Sequence, residues 1–256
     1  MNSDLPTARR GVIASRLDGG QAVTASALAT EFEVSEDAIR RDLRALAAEG
    51  RCRRVYGGAL PIIRDAKPFA ARVGEGELEK QVLARSAAGL ITAGDFLFLD
   101  SGSTNLALVE HLPEDADLTV ATNSTEIASA LMRRQDAQII MTGGLVEPAI
   151  GGCVDAVAVQ SILQMRFDIA FIGTCSVSED GLAADHFEDA TFKRAVVGSA
   201  RRVVALATKD KIDRRALHCI AALKQVDTLI VGPEISDDQR HSLAAVGVRV
   251  VVPGRD

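Results

Sequence analysis

The sequence has few cysteines and no long apolar run. Its four cysteines lie far apart and form no CxxC pair, so we expect neither a structural zinc site nor a dithiol redox motif. No apolar stretch approaches the roughly 20 residues that a transmembrane helix needs, and the N-terminal residues lack the apolar segment of a signal peptide. These absences predict reduced thiols, a cytoplasmic location and no membrane partner.

The sequence also lacks a P-loop, an internal repeat and a low-complexity tract, and its four histidines are not spaced as metal ligands. We therefore expect no metal and no cofactor. What is present is typical of a globular protein: 256 residues, of which 47% are hydrophobic and 25% charged. That length can form one large domain or two unequal domains.

The net charge of −6 argues at first against a nucleic-acid partner, because polyanions bind through lysine and arginine. The charge is distributed unevenly, however. Residues 1–60 hold nine arginines and eight acidic residues, a net +1, whereas the remainder carries −7. Between Arg40 and Arg54, six arginines face only Asp42 and Glu49. A basic segment thus lies within an acidic protein.

The first sixty residues predict three short helices. The first covers Thr7 to Leu17, the second begins at the N-cap Thr24, and the third begins at the N-cap Ser35 and ends at Gly50. Only residues 33–34 join the second and third helices. This close spacing is typical of a helix-turn-helix motif.

The third helix has an apolar side and a charged side. Rotation by 100° per residue brings Ile39, Leu43 and Leu46 together, and we expect these to face the core. The opposite side, flanked by Arg40, carries Asp37, Arg41, Arg44 and Ala48. Arginine reads guanine in the major groove and a small alanine permits close approach. Asp37, four residues before Arg41, is placed either to orient Arg41 or to accept a hydrogen bond from cytosine.

A basic stretch follows the third helix. Residues 51–58 alternate and end in a glycine turn, which predicts a β-wing that carries cations to phosphates. An ordinary solvated helix face with i,i+4 ion pairs is the alternative, but the succession of close helices, arginine face and basic wing favours DNA binding. The expected DNA contacts are Ser35, Glu36, Asp37, Arg40, Arg41, Arg44, Arg53, Arg54, Tyr56 and Gly57.

The same segment resembles a known family. The residues that carry the resemblance are Leu28-Ala29 through Phe32, Val34-Ser35-Glu36, Ile39-Arg40-Arg41-Asp42-Leu43, Gly50 and Tyr56-Gly57-Gly58-Ala59. This pattern is similar to the winged helix-turn-helix signature of the DeoR family of bacterial transcriptional regulators. The resemblance implies a DNA-binding domain over residues 1–60, with a double-stranded DNA operator as its partner.

The rest of the chain predicts a connector and an α/β domain. Residues 61–78 contain prolines, glycines and scattered charges with no sustained period, which is typical of a linker. From residue 79 to 256, short apolar runs alternate with segments of helical length. The runs cover residues 96–99, 118–121, 138–141, 168–172, 202–206, 227–231 and 247–252. This rhythm predicts a parallel or mixed sheet with helices packed on it.

Small polar residues or glycines follow four of these runs. Asp100 to Asn105 come directly after the first run, and Thr122-Asn123, Gly143-Gly144 and Gly173-Thr174 follow later ones. Ligands bind at the carboxyl ends of parallel strands, so we expect a concave rim that holds a small phosphorylated polyol, with Asp100 on its hydroxyls. A capped strand-to-helix turn without a ligand is the alternative.

Two lysines, Lys193 and Lys211, are candidates for the positive charge at this rim. The segments 100–104, 122–124, 143–144, 168–173 and 193–194 resemble the C-terminal sensor of the DeoR family. That domain is similar in fold to ribose-5-phosphate isomerase and glucosamine-6-phosphate deaminase, which implies a sugar-phosphate effector. The expected ligand contacts are Asp100, Ser101, Gly102, Ser103, Thr104, Thr122, Asn123, Gly143, Gly144, Gly173, Lys193 and Lys211.

These patterns together predict a ligand-controlled transcription factor, a repressor of a carbohydrate-use operon, rather than an enzyme. A pseudo-palindromic operator needs two recognition helices about 34 Å apart, so we expect a homo-oligomer, a dimer or a tetramer. The alternative is a sugar-phosphate isomerase or deaminase with an accessory DNA-binding module. His186, beside Asp185 and Glu188, suggests acid/base chemistry for that alternative, but a polar loop near the ligand rim explains these residues equally well. A purely structural protein would leave the strand-end glycines unexplained.

Overall fold

The computed structural model describes residues 6–18, 21–61 and 68–255, and it divides the chain into two compact units, Met1–Asp65 and Ala66–Asp256. Each unit has its own hydrophobic core. In the described part of the chain, no helix combines the length and apolar character that crossing a membrane requires.

The first unit combines three helices with a small antiparallel sheet. Its helices are α1 (Pro6–Asp18), α2 (Ala25–Glu31) and α3 (Glu36–Ala48), and its strands are β1 (Val23–Thr24), β2 (Cys52–Val55) and β3 (Gly58–Pro61). Strand β3 lies between β1 and β2. The predicted helix-turn-helix is therefore followed by the predicted wing.

Local hydrogen bonds explain why α2 and α3 begin where they do. The hydroxyls of Thr24 and Ser35 accept from the backbone N–H groups of Ala27 and Ala38, each at 3.3 Å. Both predicted N-caps are confirmed. After α3, Gly50 has a φ of +69°, a conformation that glycine adopts without strain, and the chain turns there into the wing.

The core of the first unit contains the predicted apolar side of α3. Ile39, Leu43 and Leu46 are buried against apolar residues of α1 and α2. Asp42 is buried as well, and the Nε of Arg9 in α1 donates to its carboxylate at 2.6 Å. This ion pair connects α1 to α3, and it takes one of the two acids out of the basic segment between Arg40 and Arg54.

The second unit is built on a long series of alternating elements. Its helices are α4 (Phe69–Val73), α5 (Glu77–Ala88), α6 (Ser103–Leu108), α7 (Thr125–Arg134), α8 (Ala156–Leu163), α9 (Phe187–Ser199) and α10 (Asp237–Ala245). Its strands are β4 (Phe96–Leu99), β5 (Leu118–Thr122), β6 (Ala137–Met141), β7 (Val146–Glu147), β8 (Gly152–Cys153), β9 (Phe167–Ile172), β10 (Ser176–Ser178), β11 (Gly181–Ala184), β12 (Ala200–Ala207), β13 (His218–Ala221), β14 (Thr228–Val231) and β15 (Arg249–Val251).

Seven of these strands form one fully parallel sheet in the order β15-β14-β12-β9-β4-β5-β6. They correspond to the seven predicted apolar runs, and the predicted α/β fold class is confirmed. From β4 the chain builds outward through β5 to β6, and it then returns to the other side of β4 with β9. The order of the strands therefore reverses between β4 and β9, where open α/β sheets have their ligand crevice.

Both faces of the large sheet are buried, which explains the continuous apolar runs. In β4, Leu97 and Leu99 belong to one hydrophobic cluster, whereas Phe98 belongs to the cluster on the other face. Phe98 contacts Phe167 of β9 and Phe192 of α9 at ring-centroid distances of 5.2 and 5.9 Å. Central strands buried in this way fix the positions of their carboxyl ends.

The structure adds elements that the sequence pattern does not predict. Strands β10, β11 and β13 form an antiparallel sheet, and β7 pairs with β8. Residues 62–67 of the predicted connector lie outside the described residues, but the second half of it is structured. There, α4 places the buried Phe69 against the second unit. The second unit thus includes residues before position 79.

Candidate functional site

The outer side of α3 presents the predicted basic surface. Asp37, Arg41, Arg44 and Ala48 are exposed, opposite the buried apolar side. Among the described residues, no acidic side chain lies within ion-pair distance of Arg41 or Arg44. Their charges are therefore available to an external anion.

The acids at the start of α3 pair with a different arginine from the predicted one. Arg40 lies 2.6 Å from the carboxylate of Glu36 and 3.2 Å from that of Asp37. Among the residues that the structure describes, Arg41 donates only to the backbone carbonyl of Asp37, at 3.4 Å. The prediction that the Asp37 carboxylate orients Arg41 is wrong, because Arg40 lies closer to it. Arg40, Glu36 and Asp37 instead form a small surface network.

The wing is a two-stranded ribbon whose tip projects from the unit. Arg53 and Arg54 of β2 are exposed, and Tyr56 at the turn is fully exposed. Gly57 has a φ of +81°. At Gly58, a Cβ would lie 2.1 Å from the carbonyl oxygen of Val23, so only glycine lets β3 pair with β1. These glycines hold the cations of the wing in place beside α3.

The second candidate site is a cleft at the carboxyl ends of β4 and β9, where the strand order reverses. Its lining comes from the turn after β4, the turn after β9, α4, α9 and the segment after β12. The residues are Arg72, Ser101, Gly102, Ser103, Thr104, Asn105, Ala149, Ile150, Gly173, Thr174, Cys175, His186, Asp189, Lys193, Leu206 and Lys211. The structure thus brings seven of the twelve expected ligand contacts together: Ser101, Gly102, Ser103, Thr104, Gly173, Lys193 and Lys211.

Asp100 lies beneath the cleft rather than in its lining. Its carboxylate is fully buried, accepts from the backbone N–H of Gly173 at 2.8 Å and lies 3.4 Å from the Nζ of Lys193. A Cβ on Gly173 would come within 3.0 Å of the same carboxylate. The expectation that Asp100 binds hydroxyls of a ligand is corrected: it holds Lys193 and the turn after β9.

Lys193 is a buried cation with two carboxylate partners. Its Nζ lies 2.8 Å from Asp189 and 3.4 Å from Asp100, and its side chain is only 4% exposed. Burial alone would lower the pKa of Lys193, but the two carboxylates more than offset this and hold its pKa above the ordinary value. Burial raises the pKa of Asp100 to about 6, against the opposing effect of Lys193. Lys193 is therefore a permanent positive charge.

Lys211 differs from Lys193 in having no carboxylate partner. Among the described residues, its amine has no hydrogen bond and no ion pair. Burial lowers the pKa of Lys211 to about 8, and the positive charges of Arg72 and Lys193 lower it further, against the thiol of Cys175 and the carboxylate of Asp210. An anion in the cleft would raise the pKa of this lysine again, because it would stabilise the charged amine.

Two hydroxyls in the lining have no partner. The side-chain oxygens of Ser101 and Thr104 are buried and make no hydrogen bond within the described residues, although each residue is at most 5% exposed. A buried hydroxyl without a partner is unfavourable, and native structures tend to avoid it. Helix α6 has only six residues, so its dipole contributes less than expected, and the cleft offers these hydroxyls and the lysines as its main donors.

Four other expected ligand contacts lie outside the cleft. The hydroxyl of Thr122 donates to the carbonyl of Leu99, and Asn123 bonds the N–H of Ser101 and the carbonyl of Cys153. Both are fully buried and position the turn after β4. Gly143 and Gly144 are exposed in the turn after β6, at the end of the sheet. None of the four lines the cleft, so the expectation is corrected: Thr122 and Asn123 hold the turn after β4, and Gly143 and Gly144 lie in a turn outside the cleft.

Several lining residues carry no signal in the sequence. Arg72 comes from α4, in the segment predicted as a connector, and Cys175 follows β9. His186 also lines the cleft, but Asp185 pairs with Arg214 at 2.9 Å rather than with the imidazole. In the parts of the chain that the structure describes, no cluster of side chains has the composition of a metal site.

Comparison with known families and proteins gives a match in each of the two units. The family described as "DeoR-like helix-turn-helix domain" matches residues 9–63, and the one described as "DeoR C terminal sensor domain" matches residues 76–232. The chain is 32% identical to the glycerol-3-phosphate regulon repressor of Escherichia coli (strain K12), over 81% of this chain and 83% of that protein.

Two further relatives and one solved structure are also among the matches. The HTH-type transcriptional repressor GlcR of Bacillus subtilis (strain 168) is 32% identical over 81% of each chain. The HTH-type transcriptional regulator GlpR of Haloferax volcanii is 28% identical over 96% of this chain and 98% of that one. Ribose 5-phosphate isomerase from Methanocaldococcus jannaschii has a TM-score of 0.41 and 20% identity, over 54% of this chain and 55% of that one.

Proposed function

Because the chain belongs to the DeoR family of DNA-binding transcriptional regulators, we propose that it represses a carbohydrate-use operon and that a phosphorylated sugar bound in the cleft changes its affinity for the operator. Relatives named as repressors, including the glycerol-3-phosphate regulon repressor, support the direction of control. The same relatives are named as regulators and not as enzymes.

The cleft supports the class of effector. A phosphate carries about two negative charges at neutral pH and has three acceptor oxygens. The cleft offers Lys193, Lys211 and the unpartnered hydroxyls of Ser101 and Thr104, so its donors match those acceptors. The two buried hydroxyls are the observation that carries the proposal, because a ligand with acceptor oxygens would remove the unfavourable energy of leaving them unpaired.

The first unit supports the mode of DNA binding. Arg41 and Arg44 on α3 are placed to reach base edges in the major groove, while Arg53 and Arg54 on the wing contact phosphates. One such helix reads one half-site. A palindromic operator needs a second helix about 34 Å away, so the active species is at least a dimer.

A thermal-shift panel on the full chain tests the proposed effector class. The panel contains inorganic phosphate, glycerol 3-phosphate, ribose 5-phosphate and fructose 6-phosphate, each compared with its unphosphorylated counterpart or with chloride at equal ionic strength. We expect at least one phosphorylated compound to raise the melting temperature, since ligands stabilise the state that binds them. If none does so at millimolar concentration, the effector proposal fails.

Operator binding is tested separately. The full chain selects its operator from a pool of random duplexes, and the affinity for the selected duplex is then measured with and without the compound found in the panel. We expect that compound to change the operator Kd, and its unphosphorylated counterpart to leave it unchanged. Selection of no sequence above background would contradict the DNA-binding proposal.

A further inference from the structure

The part of the cleft contributed by α4 has no assigned role. We propose that Arg72 is a further ligand-binding residue. By binding Arg72, the effector anion holds α4 in place, and this changes the affinity of the DNA-binding unit for the operator. This inference rests on the proposed function, and it names Arg72 as the residue that couples ligand binding in the cleft to DNA binding.

Arg72 lines the cleft and has a buried donor that makes no hydrogen bond within the described residues. Its Nη2 donates to the backbone carbonyls of Ile150 and Ala149, at 3.1 and 3.4 Å. Its Nε is buried, and no acceptor for it exists among the described residues. A buried guanidinium N–H without an acceptor is unfavourable. An anion in the cleft that Arg72 shares with Ser101 and Thr104 would supply the missing acceptor.

The charges in the cleft support an anion at Arg72. Lys193 pairs with both Asp100 and Asp189, whereas no described acidic side chain forms an ion pair with Arg72 or Lys211. Arg72 is also one of the charges that lower the pKa of Lys211. Two unbalanced cations thus face one small cleft. An anion between them would convert a repulsive pair into an attractive cluster.

A small number of contacts attach α4 to the rest of its unit. The helix has five residues and lies beside α6, and the buried ring of Phe69 lies against the turn at Gly151. The Nζ of Lys80 donates to the carbonyl of Arg72, and the Arg72 guanidinium lies 5.6 Å from the centre of the Phe69 ring. An isolated helix of this length is unstable, so its position depends on these few contacts. One additional ionic contact would change its stability appreciably.

The position of α4 in the chain explains how an anion bound to Arg72 can affect DNA binding. It is the first described element after residue 67, and the chain that leaves the DNA-binding unit continues directly into it. A ligand shifts an equilibrium only by binding one arrangement better than another. An anion that binds Arg72 favours the arrangement in which α4 is docked, and the start of the second unit is fixed in that arrangement.

The test measures coupling rather than binding alone. For the full chain and its variants, the operator Kd is determined without ligand and at a saturating concentration of the panel compound, and the two values form a ratio. Coupling of this kind changes affinity by about 5–150-fold. We expect Arg72→Met to bring the ratio close to one. Lys211→Met should need more ligand to saturate but keep the wild-type ratio.

The controls separate this inference from the proposed function. Arg85→Met removes an exposed arginine of α5 outside the cleft and should keep the wild-type ratio. If the wild-type chain has a ratio of one with every panel compound, the proposed function fails. If the wild type responds and Arg72→Met keeps its full ratio at saturation, or if Lys211→Met loses the ratio too, the role of Arg72 is disproved.

A second measurement does not depend on the folding of a variant. Hydrogen exchange of the wild-type chain is followed in a peptide that covers residues 69–75, with and without saturating panel compound. We expect the amides of this segment to exchange at least several-fold more slowly when the ligand is bound, because docking of α4 protects them. Unchanged exchange here, together with slower exchange at residues 101–105, would show binding without any effect on α4 and would overturn the inference.

Discussion

The two cationic surfaces of the molecule differ most in their exposure to solvent. On α3 and the wing the arginines are exposed, and even Arg40, which pairs with two acids, keeps 48% of its side chain in solvent. In the cleft, Lys193 keeps 4%. Exposed charges interact weakly with single partners and are screened by salt, whereas buried charges interact strongly and need a partner.

This difference fits two kinds of anion. A DNA backbone is long and carries regularly spaced charges, so many exposed cations that each contribute little can bind it without strain in the free protein. A small phosphate offers only a few acceptors. A buried site must bind it through donors that are already in position, and the unpartnered hydroxyls of Ser101 and Thr104 show that such donors are present.

The largest expected effect is on the free energy of unfolding, when the buried charge of Lys193 is removed. Lys193→Met leaves Asp100 and Asp189 without their cation, and removing one partner of a buried ion pair destabilises a protein by about 3–5 kcal/mol. We expect a loss of that size in the free energy of unfolding, measured by urea denaturation of the full chain. Adding Asp100→Asn should recover part of it. A loss below about 1 kcal/mol would mean that Lys193 behaves like a surface lysine.

On the exposed surface, a single arginine should matter only for binding. Arg41→Ala should weaken binding to the selected operator by about 1–3 kcal/mol and leave binding to unrelated DNA nearly unchanged. Urea unfolding should be unaffected, since within the described residues Arg41 makes only one long hydrogen bond, to a backbone carbonyl. The exposed Arg133 of α7 is the matched control. Unchanged operator affinity in Arg41→Ala would contradict the assignment of α3 as the recognition helix.

The wing should contribute without regard to sequence. Arg53→Ala should weaken binding to operator and unrelated DNA alike, and it should reduce the slope of log affinity against log salt by about 1. The slope is measured by fluorescence anisotropy over a series of salt concentrations. A change confined to the selected operator would indicate base contact instead of phosphate contact.

A pH dependence should distinguish Lys211 from the exposed arginines. Its pKa of about 8 means that it loses its charge as the pH rises from 8 to 9, while a sugar phosphate stays doubly charged. If the bound anion requires the charged amine, ligand affinity should fall about fivefold over this interval. Titration calorimetry measures it. Lys211→Met should abolish the dependence, and Cys175→Ser, which removes the nearby thiol, should keep it.

The smallest expected effects come from removing single hydroxyls. One hydroxyl has a hydrogen-bond partner, and the other has none among the described residues. Ser35→Ala removes the N-cap of α3 and should reduce the stability of the first unit by about 1 kcal/mol. Ser101→Ala removes a hydroxyl without a partner, so it should leave the ligand-free chain as stable as before and weaken ligand binding. Differential scanning calorimetry with and without the panel compound checks both changes.

Most of the fold could be predicted from the sequence. Strands buried on both faces are continuous apolar runs, and all seven runs proved to be strands of the large sheet. The N-caps Thr24 and Ser35 depend on local hydrogen bonds, which local sequence specifies. Asp42 was missed although rotation along α3 places it near Ile39, because its partner Arg9 lies 33 residues away.

The candidate site could be predicted only in part, since it depends on the order of the strands. Four strand ends looked equivalent in sequence, but only those of β4 and β9 flank the reversal and open onto the cleft. Gly143 and Gly144 follow β6 at the edge of the sheet, so they lie elsewhere. Arg72 was missed because α4 is too short for a periodic pattern.

The cleft is assembled from distant parts of the chain, and this has a consequence for its folding. Ser101 and Lys211 are 110 positions apart, whereas the described contacts of the first unit span fewer than 60 residues. Long loops are slower to close than short ones. A bound anion that contacts both residues would form a reversible, non-covalent cross-link between these two parts of the chain. A chain that ends before residue 211 cannot form this cross-link.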